Sequence, residues 1–144
     1  MTAYNPNNIF AKILRGELPC HKIDEDDHTL AFMDIMPRSP GHALVIPKVP
    51  ARNILDIAPE ALSHTIVAVQ RLAKASKAAF AADGITIMQF SEAAGGQVVF
   101  HLHFHVLPRH EGVALLPPGA NIEADDKLAA NAETLRRALA ELRA

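Results

Sequence analysis

The chain has 144 residues, of which 49% are hydrophobic and 21% charged, a composition typical of one globular domain. Its formal net charge is −2 and no segment approaches the roughly 20 apolar residues of a membrane span, so we expect neither a nucleic-acid partner nor a membrane partner. The single cysteine, Cys20, excludes an internal disulfide and a multi-cysteine zinc site.

The first half of the chain is predicted to form a short helix and three strands. Asn7 or Asn8 can cap the helix, and Gly16 is suited to end it. The charged side chains of Lys12 and Arg15 interrupt this region, so no secretory signal is visible and we expect a cytoplasmic protein. The predicted elements are a helix over 8–15 and strands over 22–25, 29–34 and 42–47, the last of them buried on both sides.

The second half is predicted to form a long helix, two strands and a tail helix. The long helix begins at Pro59 and ends before Gly84, and a tail helix begins at Asp125. Strands are expected over 85–90 and 98–107, with a flexible connection over 92–97 between them. The expected core faces of the two helices are Leu62, Ile66, Val69, Ala73 and Phe80, then Leu128, Ala132, Leu135, Leu139 and Leu142.

The order of these elements predicts an α+β domain with a mainly antiparallel sheet of about five strands. We expect the domain to span residues 1–112. Residues 113–144 form an extension whose amphipathic helix packs on the same domain or on a partner subunit.

Eight histidines are many for this length, and three alternate with apolar residues in one predicted strand. Neighbouring side chains on a strand point to opposite faces, so His101, His103 and His105 are expected on one face, and Leu102, Phe104 and Val106 on the core face.

Three interpretations of the histidine face remain open. The face could be solvated, although Thr, Lys and Glu are the usual residues there. Three histidines and a water could bind zinc, although no carboxylate or cysteine is nearby in the sequence. A neutral imidazole could attack phosphorus, since its ordinary pKa is about 6.5 and each neighbour on the strand is polar. Gly95, Gly96 and Gln97 lie just upstream, where backbone N–H groups could bind an anion.

The histidine segment resembles the signature of the histidine triad (HIT) family of nucleotide-binding proteins. The sequence from His101 to Leu107 matches the alternation of histidine and apolar residues in that signature. The resemblance extends over about residues 8–110 and is greatest to the Hint-like bacterial branch. It includes Asp34, the sequence Gly41-His42, the sequence Pro47-Lys48, and Gly96-Gln97.

The resemblance implies a HIT-like fold and a homodimer whose sheets join, with the long helix at the interface. It also implies binding of purine nucleotides and attack on an α-phosphorus. In that comparison His103 is the nucleophile and His101 orients it through hydrogen bonding. His105 contacts the phosphate and assists the leaving group or water, and His42 supports the triad or the phosphate side. The nucleotide-binding positions that it implies are Asp34 for the ribose, Gln97, Gly96 and Val98 beside the phosphate, and Ile9, Phe10, Phe32 and Ile35 around the base.

Some positions depart from the family pattern. Many bacterial members have two cysteines and a histidine where this chain has Asn8, Ala11 and Pro50, so we expect no structural zinc and no cofactor. Phe90 or Ser91, and Val98, stand where polar residues are common in the family, which affects the expected rate.

The resemblance predicts a hydrolase of nucleoside 5′-phosphoramidates that acts through a nucleotidyl-histidine. A dinucleoside polyphosphate hydrolase and a nucleotide-binding regulatory protein with little turnover remain alternatives.

Overall fold

The computed structural model describes residues 3–143. Five antiparallel strands form one sheet in the order β1-β2-β3-β5-β4. The elements are α1 (Ile9–Leu14), β1 (Lys22–Glu25), β2 (Thr29–Met33), β3 (Ala43–Pro47), α2 (Pro59–Ala79), β4 (Gly84–Met88), β5 (Phe104–Arg109) and α3 (Asp125–Arg143). A single 3₁₀ turn spans Ala93–Gly95. The predicted α+β class and five-stranded sheet are confirmed.

The ends of the helices follow from local sequence. The side chain of Asn8 accepts a hydrogen bond from the Ala11 N–H and caps α1, and Gly16 adopts a φ of 78° just beyond it. Pro59 begins α2. Proline is suited to this position because the N–H that it lacks would have no acceptor within the helix. These ends agree with the predicted ends to within about two residues, which is the usual uncertainty of helix boundaries.

The two faces of the sheet are covered differently. Helices α2 and α3 lie on one face and bury a large core against it, which includes Val45, Leu102, Phe104 and Val106. On the other face a smaller cluster joins α1 to β2 and β3 through Phe10, Leu30, Phe32, Leu44 and Ile46. Alternation along β2 and β3 sends neighbouring residues to opposite faces, so both strands are buried throughout, as predicted for β3.

Helix α3 packs on its own domain. Its buried residues Leu128, Ala132, Leu135 and Leu139 belong to the same core as α2 and the sheet. Arg143 at its end donates to Asp24 on β1 at 2.6 Å, and Arg136 donates to the carbonyl of Lys22. Helix α3 therefore lies along β1, at one edge of the sheet. None of the helices within residues 3–143 has the length and hydropathy needed to cross a membrane.

Three details of the predicted elements were wrong. The strand predicted over 98–107 lies at Phe104–Arg109, because residues 98–103 do not join the β-ladder. Ile66 is 45% exposed, since the buried face of α2 runs through Thr65, Val69, Leu72 and Ser76. Leu142 is exposed near the end of α3, beyond the last residue of the core. In α2 the error was one residue of the predicted apolar face, and in α3 it was the length of that face; both helices themselves were predicted.

Candidate active site

His103 and His105 lie side by side on the sheet face that carries α1. Their ring centroids are 5.0 Å apart and the rings meet edge to face. The Nδ1 atom of His103 is 2.7 Å from the backbone carbonyl of His101, which can only accept a hydrogen bond. The proton of a neutral His103 therefore lies on Nδ1, and its Nε2 atom keeps a free lone pair. Burial lowers the pKa of His103, which favours this neutral form.

His42, just before β3, sets the proton position on His105. The backbone N–H of Arg38 donates to Nδ1 of His42 at 3.0 Å, so the proton of a neutral His42 lies on Nε2. That Nε2 atom is 2.8 Å from Nδ1 of His105 and donates to it. A neutral His105 consequently carries its own proton on Nε2, where it is available as a donor. These three groups form a directed chain of hydrogen bonds that begins in the backbone.

Both imidazoles of this chain are held neutral. Burial, followed by the nearby charges of Arg38 and His103, lowers the pKa of His42 to about 4. Burial and the charge of His103 lower the pKa of His105 to about 3, with smaller effects from His42 and Arg38. At neutral pH His105 is therefore a neutral donor through Nε2.

Asp34 lies beside His42 and bridges the turn after β2. One carboxylate oxygen accepts the Met36 N–H at 2.8 Å, and the other is 3.4 Å from Nε2 of His42. Burial raises the pKa of Asp34. Asp34, His42 and His105 also bring one potential ligand atom each to within 4.8 Å of one another, so these three residues could hold a metal ion. A divalent ion would compete there with the proton shared by the two histidines.

His101 is fully buried and does not line an open face with the other two histidines. Its Nε2 atom is 2.8 Å from the carbonyl of Pro47, and its Nδ1 atom is 2.6 Å from the hydroxyl of Tyr4. The predicted orienting contact to His103 exists, but the backbone carbonyl of His101 makes it and the ring does not. The sequence analysis missed Tyr4, because no periodicity or motif links it to residue 101.

Of the four residues predicted around the base, Phe10 packs on His103 and Phe32 packs on Phe10, whereas Ile9 lies at the start of α1 and Ile35 in the turn after β2. The ring of Phe10 packs edge to face on His103, with centroids 4.9 Å apart, and also on Phe32 at 5.4 Å. Phe10 and Phe32 are buried, whereas Ile9 and Ile35 expose about half of their surface. An apolar surface therefore lies next to the imidazole of His103, with a buried aromatic floor and exposed aliphatic residues.

The loop before the triad was expected to offer free backbone donors, and this expectation was wrong. The N–H groups of Gly95 and Gln97 donate to the carbonyl of Glu92, and that of Gly96 donates to Ala93. The 3₁₀ turn therefore uses all three donors internally. Gly96, with a φ of 99°, instead permits close packing, because a Cβ atom there would lie 3.2 Å from the ring of Phe90. Phe90 in turn meets His105 edge to face at 5.6 Å.

Gln97 holds this loop to the rest of the domain. Its carbonyl oxygen accepts from the Glu92 N–H at 2.7 Å and from Asn53 at 3.1 Å. Its amide nitrogen donates to the carbonyls of Arg52 at 2.7 Å and Val99 at 3.0 Å. All four hydrogen-bonding positions of the amide are occupied. A contact of Gln97 with substrate would have to replace one of these bonds. Val98, by contrast, is 82% exposed.

Comparison with known proteins identifies the family. A model of the HIT domain matches residues 15–112. The chain belongs to the HIT family. A crystal structure of a Hit-like protein from Bartonella henselae, described as involved in cell-cycle regulation and bound to an unknown ligand, is 54% identical. The match covers 94% of this chain and 99% of that one, with a TM-score of 0.89.

Two further relatives have names that indicate function. A histidine triad nucleotide-binding protein of Candida albicans is 33% identical, with a TM-score of 0.69 over 94% of this HIT chain and 99% of that one. Adenylylsulfatase HINT3 of Arabidopsis thaliana is 38% identical over 103 residues, which are 72% of this chain and 52% of the plant protein. At the level of class, the chain is a nucleotide-binding protein of the hydrolase and transferase type.

Proposed function

We propose that the protein transfers a nucleoside 5′-monophosphoryl group from a phosphoramidate-type substrate to His103 and then to water. The observation that carries the proposal is the 2.7 Å hydrogen bond from Nδ1 of His103 to the carbonyl of His101. It leaves the lone pair of Nε2 free, which is the condition for an imidazole to act as a nucleophile.

The first step forms a bond from Nε2 of His103 to the α-phosphorus and breaks the bond from phosphorus to the leaving group. The leaving amine needs a proton, and the Nε2–H of His105 is the donor that the chain from Arg38 through His42 supplies. In the second step water attacks the same phosphorus and returns a proton to Nε2 of His105, the bond from phosphorus to Nε2 of His103 breaks, and the nucleoside 5′-monophosphate is released. Dividing the displacement in two is the usual advantage of covalent catalysis.

The remaining predicted residues are assigned by their positions. Asp34 accepts the ribose hydroxyls through the carboxylate oxygen next to His42. The purine lies on the surface formed by Ile9, Phe10, Phe32 and Ile35, where it meets apolar side chains beside His103. Gly96 and Val98 border the phosphate side, Gly96 through its contact with Phe90 and Val98 through its exposed side chain.

A sulfate leaving group is a second candidate. Arg38 lies next to His42, since its backbone N–H donates to Nδ1 of that ring, and its guanidinium donates to the carbonyl of Leu116. Its charge lowers the pKa of both His42 and His105, so a cation is near the proposed leaving-group side. A cation there favours an anionic leaving group over a neutral amine. The name of the plant relative, adenylylsulfatase, agrees with this chemistry. Dinucleoside polyphosphates, whose leaving group is also anionic, belong in the same comparison.

The test is intact-protein mass spectrometry during turnover, with His103→Ala as the matched variant. The substrates are adenosine 5′-phosphoramidate, adenosine 5′-phosphosulfate and a diadenosine polyphosphate. We expect a wild-type adduct of one adenylyl group that the variant lacks, and the highest kcat/KM identifies the leaving group. Bound nucleotide without an adduct or product would favour a regulatory binding protein. Loss of turnover with EDTA and its recovery with zinc would instead favour a metal at Asp34, His42 and His105.

We further propose that two copies pair through β4 and α2. Helix α3 lies along β1 at one edge of the sheet, whereas β4 forms the other edge. Ile87 on β4 and Ile66 and Val67 on α2 expose apolar side chains, which a pairing of two sheets would cover. Sedimentation equilibrium should give a dimer for the wild type and a monomer for Ile66→Glu. A wild type that is monomeric at all concentrations would contradict this pairing.

A further inference from the structure

The N-terminal segment contacts two members of the triad through different side chains. Tyr4 reaches the buried ring of His101 with its hydroxyl, 2.6 Å from Nδ1. Phe10, on the next helix, packs its ring on His103. Asn8 joins the two, since its oxygen caps α1 and its nitrogen donates to the hydroxyl of Tyr4 at 3.0 Å. A segment outside the sheet therefore touches the histidine pair from one side.

The direction of each hydrogen bond in this group can be assigned. The carbonyl of Pro47 only accepts, so Nε2 of His101 carries the proton that it donates there. In a neutral ring Nδ1 is then an acceptor, and the hydroxyl of Tyr4 must donate to it. The same hydroxyl accepts from Asn8. The sequence of donors thus runs from Asn8 to Tyr4, from Tyr4 to His101, and from His101 to Pro47.

Every polar atom of the His101 ring is used in this chain, and the ring is fully buried. An unpaired acceptor at Nδ1 would cost the desolvation of a buried polar group. A shift of residue 101 that brought Nδ1 to another partner would also move its backbone carbonyl, which accepts the proton of His103. Residues 101–103 lie outside the β-ladder, so no strand hydrogen bonds resist that movement.

We propose that Tyr4 is a positioning residue of the nucleophile. Its hydroxyl donates to Nδ1 of His101, whose Nε2–H is set by the carbonyl of Pro47, and so holds residue 101 in place. The carbonyl of residue 101 then stays on the Nδ1 proton of His103 and leaves Nε2 of His103 free. The proposal deepens the proposed function and rests on it for its kinetic consequence, but the proton positions are properties of the ligand-free protein. Asn8 supports the role because it orders the tyrosine hydroxyl from the cap of α1.

The test combines the proton positions with the kinetics in the variant Tyr4→Phe. In the wild type, nitrogen-15 spectra of the histidine rings should show the proton of His101 on Nε2 and that of His103 on Nδ1. In Tyr4→Phe the Nδ1 resonance of His101 should move toward that of an acceptor without a partner. Formation of the adenylyl adduct in a single turnover should slow about 10-fold to 100-fold, the range expected when a reacting group is misplaced, with KM within about twofold.

Two variants separate positioning from loss of stability. Thr65→Val removes a buried hydroxyl of α2, which bonds the carbonyl of Ala61 within the helix, far in sequence from the triad. It should lower the melting temperature without slowing adduct formation. Asn8→Ser keeps a capping oxygen for α1 but removes the donor to Tyr4, and it should slow the adduct step less than Tyr4→Phe.

Four results would overturn the proposal. One is a wild-type His101 with its proton on Nδ1, which can be measured even if Tyr4→Phe does not fold. The others are unchanged ring spectra in Tyr4→Phe, an unchanged adduct rate in that variant, and an equal loss of rate in Thr65→Val. If the wild type forms no adduct, the proposed function fails, while the ring spectra of wild type and Tyr4→Phe still decide whether Tyr4 donates to Nδ1 of His101.

Discussion

Residues 98–103 and residues 104–109 are held in the structure by different means. From Phe104 to Arg109 the backbone is paired with β3 on one side and β4 on the other. Residues 98–103, which we call the side-chain part, are held mainly by side chains. The ring of His101 donates to the carbonyl of Pro47, and the amide of Gln97 donates to the carbonyl of Val99. One backbone bond, from the Leu102 N–H to the carbonyl of Ala51, supplements them. The boundary between the two parts falls between His103 and His105.

This difference separates two functions in one short segment. The backbone of His105 is held by strand pairing on both sides. The position of the proton on its ring is determined by the hydrogen bond from His42, next to β3. His103 lies where the backbone has left the ladder, so the carbonyl of His101 can turn to the Nδ1 atom of His103 and is not used for strand pairing. A strand that continued through residue 101 would use that carbonyl in a different direction.

The largest expected effect comes from a matched pair of buried leucines, one in each part. Leu102 and Leu107 are both fully buried, so Leu102→Ala and Leu107→Ala should each lower the free energy of unfolding by about 2–5 kcal/mol. Only Leu102→Ala should also slow adduct formation by tenfold or more, since no ladder prevents the cavity from moving His101 and His103. Urea denaturation and single-turnover mass spectrometry measure the two quantities. An equal loss of rate in both variants would show that strand pairing does not shield the catalytic histidines from a nearby cavity.

The second prediction removes the amide that holds the side-chain part. Gln97→Met keeps a similar volume but leaves the Glu92 N–H and the carbonyls of Arg52 and Val99 without that amide. We expect a loss of about 2–3 kcal/mol in the free energy of unfolding, from buried groups without partners. Glu92 adds strain to this loop because it has a φ of 66°, held by the side chains of Arg52 and Asn53. A loss below about 0.5 kcal/mol would mean that water replaces the amide.

The sequence predicted much of the fold because burial has a clear periodic signal. The apolar run of β3 and the alternation around His103 gave the correct sheet faces, and Leu102, Phe104 and Val106 do face the large core. Alternation does not show whether a backbone pairs, so the strand was placed too early. The bond from Tyr4 to His101 joins residues 97 positions apart and depends on the tertiary fold, which no local pattern records.

The third prediction concerns acid and tests the part held by the ladder. The pKa values of His42, about 4, and His105, about 3, lie below the ordinary value of 6.5. Between pH 6.5 and pH 4 the unfolded chain therefore binds protons that the folded chain does not, so stability falls as the pH falls. The raised pKa of Asp34 opposes this trend, since the folded state then binds a proton more readily.

Urea midpoints at several pH values should show this decline, by at most about 1.4 kcal/mol per pH unit for each histidine. In His105→Asn the decline should be smaller, because one of the two groups no longer takes up a proton on unfolding. Arg38, His103 and Asp34, the charged and titratable neighbours of this pair, are unchanged in that variant. Stability that is constant from pH 7 to pH 5 in the wild type would contradict the neutral, buried state of both rings.

The smallest effect is expected at Val98, at the exposed start of the side-chain part. Because its side chain is 82% exposed, Val98→Ser should change the free energy of unfolding by less than about 0.5 kcal/mol. If residue 98 borders the phosphate side, as proposed, the added hydroxyl can donate to a phosphoryl oxygen and should raise kcat/KM several-fold. Thr134→Ser, at a half-buried position of α3, keeps the hydroxyl that donates to the carbonyl of Ala130 and is a control that should leave both quantities unchanged. An unchanged kcat/KM in Val98→Ser would place residue 98 outside the phosphate site. His103 would then be the only residue of the side-chain part that contacts the reacting phosphoryl group.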